Sequence, residues 1–188
     1  MKPSMGAVVL TILAILVAAQ PARAGDALPL GIGGDFVLTD QNGTRRDSRD
    51  FRGRPMLVYF GYASCPHSCG MALNTISAAL DDLGPDASAV AALFVSVDAE
   101  HDTPERLAAF LGNFHPAIVG LTGSGEEIEN VRREFRIAAT RLEDPGRFER
   151  LYEHSTFIYL MGTEGELQSI LPPVMPPERI AALLRGRL

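Results

Sequence analysis

Apolar residues along the chain fall into two kinds of run: short continuous blocks, and stretches with one apolar residue every three or four positions. Residues 56–60 (Met56, Leu57, Val58, Tyr59, Phe60) form a continuous block between Pro55 and Gly61. Such a block predicts a central strand buried on both faces. Residues 91–97 form a second block, ending at Asp98, and residues 117–121 a third. Residues 156–161 form a fourth, which the turn residues Gly162, Thr163, Glu164 and Gly165 fold back onto residues 166–171 as a β-hairpin. A short strand at residues 36–39 precedes a turn at Asp40, Gln41, Asn42 and Gly43.

Between the blocks lie helical patterns. Leu73, Ile76, Leu80 and Leu83 mark one apolar stripe. Thr103 and Pro104 read as an N-cap and first helical residue for a helix with Leu107, Phe110, Leu111 and Phe114 on one side. Ser124 and Glu127 have the spacing of a capping box ahead of Ile128, Val131 and Phe135. Pro176, Pro177 and Glu178 open a last helix that turns Ile180, Leu183 and Leu184 inward. Strands alternating with helices, then a hairpin and a terminal helix, predict an α/β sandwich. Residues 25–34 are small, apolar and glycine-rich, a flexible lead-in.

The N-terminus follows a different logic. Lys2 precedes an uncharged, mostly apolar run over residues 5–19, then Ala22-Arg23-Ala24 before Gly25. A basic start, an apolar stretch too short to span a bilayer comfortably and an A-x-A site predict a secretory signal peptide over residues 1–24. An uncleaved membrane anchor is the alternative, and residues 25–188 are then the functional domain. Losing Lys2 and Arg23 takes the formal net charge from −6 to −8. That acidity argues against a nucleic-acid ligand, which needs a basic footprint. The chain is 46% hydrophobic and 21% charged, which excludes a disordered protein. Its two cysteines are too few for a disulfide scaffold or a four-cysteine zinc module.

Those cysteines, Cys65 and Cys69, bracket Pro66, His67 and Ser68 at the junction between the central strand and the first helix. Free N–H groups at a helix N-terminus favour a thiolate. Four residues of spacing in the first turns would put both sulfurs on one face, with Cα atoms roughly 6 Å apart. Three uses fit: a structural disulfide, a dithiol redox pair, or soft ligation of Cu(I). The loop between the cysteines is short, so a disulfide would add little by restricting the unfolded chain. For a metal site, a third ligand is worth seeking among His67, His101, His115 and His154. His67 lies between the cysteines and is directed away; His101 and His115 sit in polar loops. His154, just before the strand at 156–161, is the best placed. Met56, Met71 and Met161 read as core packing, Met175 as part of an exposed proline loop without a role, and Phe60 and Tyr62 as strand-end packing or a docking surface.

The ordered set Phe60-Gly61-Tyr62, Cys65-Pro66-His67-Ser68-Cys69, Val95-Ser96-Val97-Asp98, Asp102-Thr103-Pro104-Glu105, Phe114-His115-Pro116, Gly120-Leu121-Thr122-Gly123 and His154-Ser155-Thr156-Phe157 resembles the Sco/SenC family of copper-binding cytochrome c oxidase assembly proteins. The resemblance implies a thioredoxin-like fold, a central mixed β-sheet flanked by helices. It implies one copper ion, Cu(I) or Cu(II), held by Cys65, Cys69 and His154, with Cys65 and Cys69 also forming a redox-active disulfide and Asp98 in a second shell. The implied role is a metallochaperone without turnover, acting on the copper-site subunit of cytochrome c oxidase or another periplasmic copper acceptor. Reduction of a partner's cysteines is the alternative. Thioredoxin-like oxidoreductases place a proline before the late strand, and Glu153-His154-Ser155-Thr156 carries none. The expected protein is a periplasmic monomer, free or anchored to the inner membrane by its N-terminus. Ala99 stands where the family often has proline.

Overall fold

The computed structural model describes residues 30–65, 68–142 and 151–188. Strand β1 (Val37–Asp40) turns back into β2 (Arg45–Asp47). Asp40 Oδ1 accepts the N–H groups of Asn42 and Thr44, and Gly43 takes the positive φ that the turn requires. β3 (Met56–Gly61) is buried along its whole length, as its unbroken apolar run predicts. It feeds α1 (Ser68–Leu83), β4 (Ala91–Ser96), α2 (Pro104–Leu111), β5 (Ile118–Thr122) and α3 (Gly125–Glu134). A ribbon of β6 (Ala139–Leu142) and β7 (Leu151–His154) follows, then the hairpin β8 (Ile158–Met161) and β9 (Leu167–Leu171), and α4 (Pro177–Arg185).

The main sheet has the order β2-β1-β5-β4-β3-β8-β9. β3 pairs in parallel with β4, and β4 with β5. β8 runs antiparallel to both β3 and β9. The result is a mixed, thioredoxin-like sheet. β3 alternates its side chains between two faces. Tyr59 meets Phe94, which meets Phe110 of α2; Phe60 packs with Phe135, beyond α3, and with Tyr159. Helices therefore cover both faces, and fully buried aromatics make the largest contributions of apolar area on each.

The helix-start signals act as their residues suggest. Thr103 accepts the N–H of Arg106, and Ser124 and Glu127 form a reciprocal capping box. Leu73, Ile76, Leu80 and Leu83 are buried under α1, and Ile180 and Leu184 under α4, with Leu183 partly buried. Three expectations change. The lead-in is tied down within its described part: Gly33 donates to the Glu134 carbonyl and Ile32 packs on the core. Met56 and Met161 are core residues, but Met71 is half exposed on α1, outside that helix's buried stripe. Met175 packs against the core and is not on an open loop.

Candidate metal centre

The site begins where β3 ends. A Cβ on Gly61 would lie 2.8 Å from Cys69 Sγ and 2.9 Å from the Phe94 ring, so the absent side chain is the space the second thiol occupies. Beyond Gly61 the backbone turns, with the Cys65 N–H donating to the Tyr62 carbonyl at 3.1 Å. The Ala63 N–H donates to Asp102 Oδ2 at 3.0 Å, which holds the cysteine turn against the C-terminal end of β4.

Only Cys69 lies on α1. Cys65 precedes the helix, so the two cysteines do not share a helical face, and Pro66 and His67 fall outside the described residues. The sulfurs are brought together another way. The Cys69 N–H donates to Cys65 Sγ at 3.4 Å, so the helix N-terminus offers its donor to Cys65. Cys65 is half-buried and Cys69 is fully buried, and neither forms a disulfide. The expected acidification does not reach Cys69. Its hydrogen bond with Cys65, then burial, push that thiol well above the usual range.

His154 is the last residue of β7. Its Nδ1 lies 2.9 Å from the Ser155 carbonyl oxygen. A carbonyl only accepts, so Nδ1 carries the proton and Nε2 presents its lone pair. Nε2 lies 3.6 Å from Cys69 Sγ. The Cys65, Cys69 and His154 ligand atoms all lie within 4.8 Å of one another. An imidazole whose second nitrogen is fixed by a carbonyl is the usual arrangement for a metal-bound histidine. Two sulfurs and one imidazole form a donor set suited to copper.

Asp98, expected in a second shell, lies in the loop after β4. It is fully buried, and its Oδ1 accepts from His101 Nδ1 at 2.8 Å and from the Tyr152 hydroxyl at 3.3 Å. Tyr152 in turn donates its backbone N–H to the Tyr62 hydroxyl at 3.2 Å, and the Tyr62 ring stacks edge-on against His154 at 5.8 Å. Asp98 thus reaches the site through two tyrosines. Phe60 and Tyr62 are both buried, which removes them from any docking surface. His101 is committed to Asp98, and His115 accepts from the Ala117 N–H and faces Asp81. Sequence reasoning missed Tyr152 and Asp102. In the sequence Asp102 is visible only within a motif of the resemblance and Tyr152 only as a neighbour of His154; the fold shows which turns they hold.

A sequence model of the SCO1/SenC family matches residues 25–188. The Schizosaccharomyces pombe protein sco1 is 39% identical over 138 residues, covering 72% of this chain and 52% of the relative. A Rickettsia felis SCO2-like protein is 33% identical over 159 residues, covering 82% of this chain and 76% of its own length. The chain thus spans about half the length of the yeast relative. Among solved structures, Bradyrhizobium japonicum ScoI with copper bound superposes with a TM-score of 0.79 at 38% identity, covering 84% of this chain and 99% of that one. The yeast Sco1 structure with copper bound gives 0.72 at 28% identity, covering 84% and 91%. On the family match and on relatives that share its sequence over most of its length, the chain belongs to the SCO1/SenC family.

Proposed function

We propose that Cys65, Cys69 and His154 bind one copper ion as cargo, and that the protein passes it to a partner's copper site. The observation that carries this reading is the meeting of Cys69 and His154, 85 residues apart in sequence, with the unprotonated Nε2 3.6 Å from Cys69 Sγ and within 4.8 Å of both sulfurs. Two thiolates and an imidazole give Cu(I) a three-coordinate site, and the imidazole also lets the site accept Cu(II). Relatives support copper as the metal: Bradyrhizobium japonicum ScoI and yeast Sco1 both have structures with copper bound.

The residues divide the work. Cys69 is buried and anchors the ion beneath Gly61; Cys65 is half-buried and is the sulfur an incoming ligand reaches first. Copper uptake requires both thiols to release their protons. Oxidation to a Cys65–Cys69 disulfide, with loss of two electrons and two protons, removes both thiolate donors. The site is therefore gated by redox state. The Sco family is one of cytochrome c oxidase assembly proteins, and the acceptor we propose is the copper-site subunit of that oxidase or another periplasmic copper protein.

The proximity of two free thiols, one of them half-buried, also supports a second reading, reduction of a partner's disulfide. Copper titration separates the two. One copper per chain, with a thiolate-to-Cu(II) charge-transfer band that disappears in His154→Ala, is the metallochaperone result. Failure to retain copper while the dithiol reduces a partner's disulfide is the reductase result. We further propose that residues 1–24 direct export, as a cleaved leader or an anchor, and that residues 25–188 act as a periplasmic monomer. Among the described residues no helix is long and apolar enough to cross a membrane. Mass measurement of the protein recovered from the periplasm distinguishes cleavage at Ala24 from retention.

A further inference from the structure

We infer that Arg132 of α3 is a positioning residue for His154, acting through the backbone of Ala139 on the neighbouring strand. The inference deepens the copper-site reading and rests on it for its metal readout, but the contacts belong to the metal-free protein.

His154 is delivered by a two-stranded ribbon outside the main sheet. An isolated pair of strands is marginally stable in water, so the ribbon takes its position from what ties it to the body. On β7 the ties are those of Tyr152, to Asp98 Oδ1 at 3.3 Å and to the Tyr62 hydroxyl at 3.2 Å. On β6 the tie is Arg132, whose Nη2 donates to the Ala139 carbonyl at 2.7 Å. Ala139 stands directly across the ribbon from His154. The Ser155 N–H donates to the Ala138 carbonyl at 3.2 Å, which makes residues 138 and 155 a hydrogen-bonded pair. The next pair, Ala139 and His154, is then a non-bonded one. In such a pair the two Cα atoms are only about 4.5 Å apart and the carbonyl points away from the partner strand. Whatever holds the Ala139 carbonyl therefore holds the backbone closest to His154.

The arginine is itself held. Its Nη1 pairs with Glu129 Oε2 at 3.0 Å, one turn back on α3, and its side chain is only 20% exposed. The Arg132 carbonyl accepts the Ile137 N–H at 2.8 Å, and Arg136 takes a positive φ of 52°. The chain thus reverses after α3 and brings β6 back to the guanidinium. A charge-assisted bond from a planar, oriented guanidinium is stronger and more directional than a neutral one. Tyr152 fixes one strand of the ribbon and Arg132 the other. The placement of His154 Nε2, 3.6 Å from Cys69 Sγ, depends on both.

The test is Arg132→Met in the purified full chain, which keeps the aliphatic stem and removes the donors. The two thiols are untouched, so the sulfur shell of the loaded protein should persist. The imidazole should not: the His154 nitrogen coupling in pulsed EPR of the Cu(II) form is expected to weaken, and copper affinity in competition with a chelator to fall about tenfold. Arg132→Lys, which restores one charged donor, should recover most of both. A folded Arg132→Met variant with parental nitrogen coupling, and affinity within about twofold of the parent, overturns the inference whatever its loss of stability, because that result describes a merely structural arginine. Losses that Arg132→Lys leaves unrecovered overturn it too. If Arg132→Met does not fold, Glu129→Gln frees the guanidinium from its orienting partner and must weaken the same coupling; unchanged coupling overturns the inference. A parent chain that binds no copper overturns the copper reading alone, and the metal-free protein then decides by NMR. A nuclear Overhauser effect between the His154 ring and the Cys69 β-protons is expected in the parent and should weaken in Arg132→Met. Its absence from the parent, or equal strength in both proteins, overturns the inference.

Discussion

At Gly61 one hydrogen atom in place of a methyl group decides whether the second thiol fits. Gly61→Ala puts a Cβ within 3 Å of Cys69 Sγ and of the Phe94 ring, and both are buried with no open side to move into. Overpacking of this kind costs about 1–3 kcal/mol. The expected outcome is a denaturation midpoint lowered by that amount, together with a weakened charge-transfer band as Cys69 is driven away from His154. Unchanged stability and spectrum would show that the turn relaxes freely. The two cysteines stand out in the sequence as soft donors at a strand-to-helix junction, and His154 is singled out chiefly by the family resemblance. The details that make them a site are not recognisable there. Nothing in the spacing shows that Cys65 lies outside α1, or that the helix N-terminus turns its donor toward Cys65 while Cys69 holds its proton. Those facts come from burial and from where α1 begins, which the spacing of the two cysteines does not set.

Among the elements, strong periodicity was readable and weak periodicity was not. β3, α1, α2, α3 and α4 each bury a face wide enough to mark the sequence. The ribbon β6–β7 does not, since the described residues of β6 are mostly exposed and a two-stranded ribbon has little apolar face to display. Yet this ribbon carries His154, opposite Ala139 at its end. Its hold on the site runs through Tyr152 to Asp98, while Asp102 holds the facing cysteine turn. Burial raises the Asp102 carboxyl above its ordinary value of 3.8, with hydrogen bonds from Ser96 and Ala63 opposing the shift. For an acid raised on folding, the favourable contribution is full below 3.8 and is lost as pH rises through the folded-state value. Asp102→Asn keeps an oxygen for Ser96 and Ala63 and removes the buried charge. Its denaturation midpoint should therefore match or exceed the parent's at pH 7 and lose that advantage toward pH 3. A variant less stable than the parent at pH 7 and equal to it at pH 3 would reverse the sign. A cap far from the metal gives the complementary case. Ser124→Ala removes half of the α3 capping box and should lower stability by about 1 kcal/mol while leaving copper uptake unchanged, as melting and titration together would show.

Across the whole molecule, the mixed sheet, its helices and the β6–β7 ribbon form a frame that brings Cys65, Cys69 and His154, from two distant stretches of the sequence, together beyond the C-terminal end of the interior strand β3. Its core is closed on both faces by the aromatics of β3, β4 and β8, so the chemistry is confined to the loops at the β3 end. If the proposed transfer holds, buried Cys69 is the anchor and half-buried Cys65, on the turn, is the ligand a partner would displace. The redox state of the pair should then control loading of the whole protein. Oxidation to the Cys65–Cys69 disulfide is expected to abolish copper uptake, and reduction to restore one copper per chain; uptake unaffected by oxidation would move the metal elsewhere. The central claim is the identity of the three ligands, and X-ray absorption at the copper edge reads them most directly. The account predicts two sulfur scatterers and one imidazole in the loaded protein, with the imidazole lost in His154→Ala and one sulfur lost in Cys65→Ser or Cys69→Ser. A copper shell without sulfur, or a spectrum that His154→Ala leaves unchanged, would contradict it.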